Sequence, residues 1–140
     1  MRATMATFNA ITSSNAVTIT NVDPVEKILD NYCLVGASAE IINEDQLTFY
    51  GYGWLSVSKY TDREAGEVSE DHGHADLLAE LAPFIAEGEM LDLQMIGHEK
   101  LRFPLSAVRY TIQDGIVKQH SLDQKGEEVK PNDNTLVEAL

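Results

Sequence analysis

"LVGASAEIINEDQLTFYGYGWLSVSKY", residues 34–60, decides how this chain folds. Two runs rich in β-branched and aromatic residues, 34–42 and 46–60, flank Asn43-Glu44-Asp45. Strand-like runs separated by a short polar turn predict a β-hairpin. Gly51 and Gly53 interrupt the second run. Glycine inside a strand marks a bulge or a close approach of another backbone. Around them the run carries Phe49, Tyr50, Tyr52 and Trp54. Strand alternation puts Tyr50, Tyr52 and Trp54 on one face and Phe49 on the other.

Working outward, the downstream stretch 61–74, "TDREAGEVSEDHGH", is polar and without periodicity, and reads as a long loop. After it Leu77, Leu78, Leu81, Phe84 and Ile85 recur at helical spacing, with Gly88 as a stop, which predicts a helix over 75–86. Pro83 inside it predicts a bent or broken last turn. Upstream, "DPVEKILDNY" predicts a helix over 24–32, with Asp23 as N-cap, Pro24 at the first helical position and Glu26 reaching back to the cap. Val25, Ile28, Leu29 and Tyr32 form its apolar face. "AVTITNV" (16–22) reads as a strand. Beyond the second helix, "MLDLQMI" (90–96), a "GHE" turn, "KLRFPLSAVRYTI" (100–112), a "QDG" turn and "IVKQHSL" (116–122) read as an antiparallel meander, its middle run split by Pro104. Residues 1–15 are small and polar and are expected to be loose. Residues 123–140 are expected to form a mostly mobile polar tail, leaving 16–122 as one α+β domain. The order strand, helix, strand, strand, helix, then two or three strands predicts an α+β two-layer sandwich: an antiparallel sheet with both helices on one face. The nearest named arrangement is ferredoxin-like.

Charge narrows the function classes. Twenty-three acids stand against ten Lys and Arg, a net charge of −13. Nucleic acid and anionic membrane surfaces require a cationic face, so neither is expected as a direct ligand. From Asp62 to Asp92 there are ten acids and one base, Arg63. Such a run is ordinarily a solvated face, and it is also what a surface aimed at a basic partner requires. No run approaches the roughly 20 apolar residues of a membrane span, and residues 1–15 lack the pattern of a secretory signal. The single cysteine, Cys33, excludes an internal disulfide framework and suits a reducing, cytoplasmic setting. It reads as a small buried hydrophobe.

"EDHGHAD" (70–76) is the one metal-like cluster. His72 and His74, with Asp71 or Asp76, supply part of a zinc ligand set, but no second Cys/His cluster completes it. The stretch fits a helix entry better, because acids in a first turn suit the helix dipole. No P-loop, Rossmann or nucleophile-elbow spacing occurs.

The segment "LLAELAPFIAEGEMLDLQMIGHEKLRFPLSAVRYTIQDGIVKQ" (77–119) resembles the C-terminal ferredoxin-like module of YubB-type proteins, small accessory proteins of phages and plasmids. The resemblance lies in the helix, the acidic Gly turn and the strands around "DGIVKQ". It covers about a third of the chain and implies a mobile-element origin in a bacterial host. It carries over no catalytic residue.

The reading that joins these features is a non-enzymatic, cofactor-free protein that binds a basic host or phage protein. Its concrete form is a nucleic-acid mimic inhibiting a nucleic-acid-binding defence complex, as an anti-CRISPR protein does. Asp62, Glu64, Glu67, Glu70, Asp71, Asp76 and Glu80 would supply the acidic surface, and Tyr52 and Trp54 the aromatic anchors. The alternatives are a small metal-dependent hydrolase using His72 and His74, and a toxin-neutralising immunity protein.

Overall fold

The turn at Asn43–Asp45 closes a hairpin, in a chain whose computed structural model describes residues 8–69, 71–99, 106–121 and 135–138. In chain order the elements are β1 (Phe8–Ser14), β2 (Val17–Thr18), α1 (Val22–Asp30), β3 (Tyr32–Val35), β4 (Ser38–Ile42), β5 (Gln46–Gly51), β6 (Ser56–Asp62), β7 (Glu67–Ser69) and α2 (His74–Leu81). A short 3-10 turn (Ala82–Phe84), β8 (Met90–Glu99), β9 (Ser106–Gln113), β10 (Ile116–Ser121) and β11 (Thr135–Glu138) complete them. The large sheet runs β11-β10-β9-β8-β1-β5, with β4 on the far edge of β5 and β2 taking over from β1 along β5. A second sheet runs β3-β6-β7. Every strand pairing among the described residues is antiparallel. The molecule is thus α+β, as its element order predicts.

The two glycines of the opening stretch mark a close backbone approach. A Cβ on Gly51 would stand 2.5 Å from Ala37 Cα, and one on Gly53 would stand 2.5 Å from Gly36 O. Gly36 itself has φ +89°, and a Cβ there would overlap the Trp54 carbonyl oxygen. Both legs of the hairpin therefore bend together. They leave the large sheet as β4 and β5 and continue into the small sheet as β3 and β6.

One face of the large sheet carries the core. Leu47 and Phe49 of β5, Leu91, Leu93 and Met95 of β8, Ile112 of β9 and Val117 of β10 pack with Val25 of α1 and Leu77, Leu78 and Leu81 of α2. Both helices thus cover the same face. Leu78, Leu81 and Ile85 are buried as expected, while Leu29 and Phe84 are half-buried against the core. The α-helical part of the second helix stops at Leu81 and tightens into the 3-10 turn that holds Pro83, the break its sequence predicts.

Four expectations are corrected. The stretch 1–15 is not loose over Phe8–Ser14, which forms β1 and pairs with both β8 and β5. It reads as polar because its inward residues are small: Ala10, and Thr12, whose hydroxyl donates to Gly53 O at 2.7 Å. The chain then bulges, shifting the register along β5 by one residue between Ser13↔Tyr50 and Val17↔Leu47. Side chains repair the ladder there. Ser14 Oγ accepts the Phe49 N–H at 2.8 Å. The Asn15 amide donates to Met90 O and accepts from the Asp92 N–H, each at 2.8 Å, as a backbone residue would. Second, α1 starts at Val22 behind Asn21, so Asp23 lies in the first turn rather than at the cap, and Asn21 makes no side-chain cap bond. Third, Gly97-His98-Glu99 is not a turn but the end of β8, paired with β1. Fourth, the tail expected over 123–140 contains β11, which pairs with β10. The split expected at Pro104 lies outside the described residues.

Candidate interaction surface

The acids read as one ridge occupy two structural settings. Asp62, Glu64 and Glu67 are exposed at the tip of the β6–β7 hairpin. Asp62 Oδ1 accepts the Ala65 N–H at 3.2 Å and so shapes the turn. The tip's one base, Arg63, lies 3.8 Å from Asp30 at the end of α1. Asp71 and Asp76 are exposed at the entry to α2. Asp76 Oδ2 accepts the Gly73 N–H at 3.1 Å, satisfying a donor at the helix start. Glu70 lies outside the described residues.

Glu80 is a different kind of acid. Its carboxylate accepts the hydroxyl of Tyr32, and Lys59 Nζ lies 3.3 Å away. The same ammonium sits 5.5 Å from the centre of the Tyr32 ring. Burial, and then the neighbouring Glu80 carboxylate, hold the Tyr32 phenol well above its usual range. Glu80 thus ties α2 to β3 and β6, a structural role the sequence reading did not give it.

The aromatic residues also separate. Their shared face holds only while the strand stays straight, and β5 ends at Gly51. Tyr52 points out at the corner and is 95% exposed, whereas Trp54 turns inward and packs against the core. Phe49 is buried. Tyr52 has two exposed neighbours that the sequence did not single out, Ile11 at 51% and Tyr50 at 49%. Together they line a shallow hollow on the face of the large sheet opposite the helices. Tyr50 donates to Glu40 at 2.6 Å, and that carboxylate raises its pKa. Ile11 was hidden by the reading of 1–15 as loose; its signal is the alternation Ala10, Ile11, Thr12 of a strand buried on one side. β6 separates the Tyr52 corner from the acidic tip by a strand of seven residues, about 20 Å. The expected ridge beside its anchors is therefore two patches.

The histidines are both engaged. His74 Nε2 lies 2.7 Å from Leu55 O, which requires the proton on that nitrogen and removes its lone pair from ligation. Its ring stacks on Tyr110, 5.5 Å between centroids and 15° between planes. His72 Nδ1 lies 3.3 Å from Ser69 Oγ. Among the described residues no three His, Cys, Asp or Glu side chains converge to hold a metal ion, and no helix is long and apolar enough to cross a membrane. Cys33 is half-buried on β3 rather than buried, and the pKa of Tyr60 is raised, chiefly by the Cys33 thiol.

No family model, curated protein or solved structure matches the chain.

Proposed function

We propose that this chain is a non-enzymatic interaction protein that docks on a basic protein partner, using Tyr52 as its anchor and the carboxylates of the β6–β7 hairpin and α2 entry to attract it. The observation that carries this reading is Tyr52, 95% exposed at a corner whose backbone is held by the contact between Gly36 and Gly53. An exposed aromatic on a rigid support loses little freedom on binding, and Tyr is enriched among the residues that dominate interfaces. Ile11 and Tyr50 beside it extend the apolar patch. Asp62, Glu64, Glu67, Asp71 and Asp76 act at longer range, raising the rate of encounter with a cationic surface.

The scaffold is proposed to be ferredoxin-like, with β9–β11 extending one edge. The strand order β8-β1-β5-β4, with α1 after the first strand and α2 after the third, supports this. The resemblance of 77–119 to YubB-type proteins supports a mobile-element origin and a cytoplasmic bacterial setting. The concrete form of the proposal is an inhibitor of a nucleic-acid-binding defence complex, whose basic groove the acidic patches would occupy. The test is affinity capture from bacterial lysate at low and high salt, with Tyr52→Ala and the hairpin variant Glu64→Lys/Glu67→Lys as comparisons. A nucleic-acid-binding protein retained at low salt, and lost in both variants, supports the reading. Capture that ignores salt and both variants overturns it.

A further inference from the structure

The large sheet ends at β4, a strand of five residues with no register shift against β5. No described segment pairs with its outer side. The sheet's other edges are irregular or closed. β11 has four residues and a register shift along β10, and the Thr18 N–H of the two-residue β2 donates to the Glu89 carboxylate at 2.9 Å. Which backbone groups β4 leaves open follows from β5. The Phe49 N–H donates to Ser14 Oγ, away from β4. Ala39, opposite Phe49, is therefore in a non-hydrogen-bonded pair with it. The N–H and C=O of Ala39, and of Ile41 two residues on, thus point out of the sheet edge. Their side chains lie half-buried against the core. Glu40 between them faces the opposite side and is exposed. The Tyr50 hydroxyl donates to one of its oxygens, which leaves the carboxylate charge in place. Among the described residues no cation pairs with it.

We infer that β4 is the docking edge for an extended basic segment of the partner, which adds to the sheet as a further antiparallel strand. The inference deepens the reading of a basic protein partner and rests on it. Main-chain hydrogen bonds to Ala39 and Ile41 supply the affinity of such an addition, and alternate side chains supply its specificity. The incoming residue opposite Glu40 lies on the Tyr50 face, where a lysine or arginine pairs with the carboxylate. Its two neighbours lie opposite Ala39 and Ile41, where β-branched side chains cover the half-buried flank of the core. The added strand then runs beside Tyr50, which shares its hollow with Tyr52. A second copy of this chain fits worse. The two-fold register that pairs Ala39 of one copy with Ile41 of the other sets Glu40 opposite its own copy, and like charges directly opposite are destabilising. A central charge protects an edge strand from its own kind. Being negative, this one attracts a basic strand.

The test is amide hydrogen exchange and chemical-shift titration of the folded chain with the capped peptide Lys-Val-Arg-Val-Lys. In the free chain the Ala39 and Ile41 amides should exchange fast, and the Glu40 amide, turned toward β5, slowly. The peptide should slow exchange at Ala39 and Ile41 and shift the amides along β4. The same peptide N-methylated on both valines keeps its side chains, loses the N–H groups that face β4, and should not bind. Glu40→Lys, at an exposed position, should weaken binding of the first peptide about fivefold and favour Lys-Val-Glu-Val-Lys instead. These readouts are separate from capture through Tyr52: capture that depends on salt and Tyr52 while the peptide leaves β4 untouched refutes the docking edge and spares the basic partner. Ala39 and Ile41 amides already protected in the free chain mean that the chain covers its own edge, and protection that grows with protein concentration means a second copy. Either result, or equal binding of the N-methylated peptide, overturns the proposal.

Discussion

At Gly36 a single methyl group has no room. The residue sits at φ +89°, and its missing Cβ would overlap the Trp54 carbonyl. Gly36→Ala therefore combines a left-handed backbone penalty with overpacking, about 2–5 kcal/mol together, measurable as a lower urea midpoint. Glu44 is the converse case: φ is +73° in the hairpin turn without glycine to ease it. Glu44→Gly should gain up to about 1 kcal/mol. The two aromatics of the corner separate in the same assay. Tyr52→Ala should shift stability by only about 0.5 kcal/mol while speeding dissociation from the partner. Trp54→Ala should cost about 2 kcal/mol or more, because Trp54 packs on the core. The close approach at Gly51 and Gly53 was legible, since interior glycines in an aromatic strand have few other reasons to be there. Which tyrosine points outward was not legible. Alternation assigns faces only along a straight strand, and the bend depends on Gly36, a residue distant in sequence from Tyr52.

The elements differ in how plainly they are written. α2 announces itself because Leu77, Leu78 and Leu81 recur at helical spacing and are all buried. β1 does not, because its inward residues, Ala10 and Thr12, are small; strand neighbours on both sides, rather than bulk, make it central. The tie that Glu80 makes to Tyr32 was not legible for a related reason: a helical acid looks alike in sequence whether it faces water or a buried tyrosine. Glu80→Ala should cost about 1–3 kcal/mol, because it leaves the Tyr32 hydroxyl unsatisfied between α2 and β3. The same contact has a pH signature. Tyr32 keeps its proton in the folded state above the value, about 10, at which an unfolded tyrosine loses it. Its contribution to stability is therefore fully present below about pH 10 and falls as pH rises toward the higher folded value. Tyr32→Phe should flatten that alkaline loss in denaturation curves taken from pH 8 to 11.

At the scale of the fold, the acidic hairpin and the Tyr52 patch lie apart, although Val68 is exposed within the hairpin and Glu40 borders Tyr50. Carboxylates gather on the β6–β7 hairpin and the α2 entry, and exposed Ile11, Tyr50 and Tyr52 gather on the open sheet. Partner binding should therefore show two independent responses. Reversing Glu64, Glu67 and Asp71 to lysine should slow association and flatten its salt dependence, while stability moves by only about 0.5 kcal/mol per site. An association rate that is unchanged by salt and by this variant would leave the acids with no role beyond solubility. The placing of β1 has a consequence in time as well as in space. Its ladder partner is β8, with Ser14 opposite Leu93 and Phe8 opposite Glu99. The first strand made thus waits about 80 residues for its neighbour, roughly 4–16 s of synthesis. The β4–β5 hairpin forms from local sequence well before that. During the wait the nascent chain carries half of its large sheet with an open edge, the condition in which unfinished sheets meet one another or a chaperone. A chain halted before Leu93 should remain protease-sensitive over the part of β1 that only β8 covers, Phe8–Ile11, and one released after Gln113 should protect it.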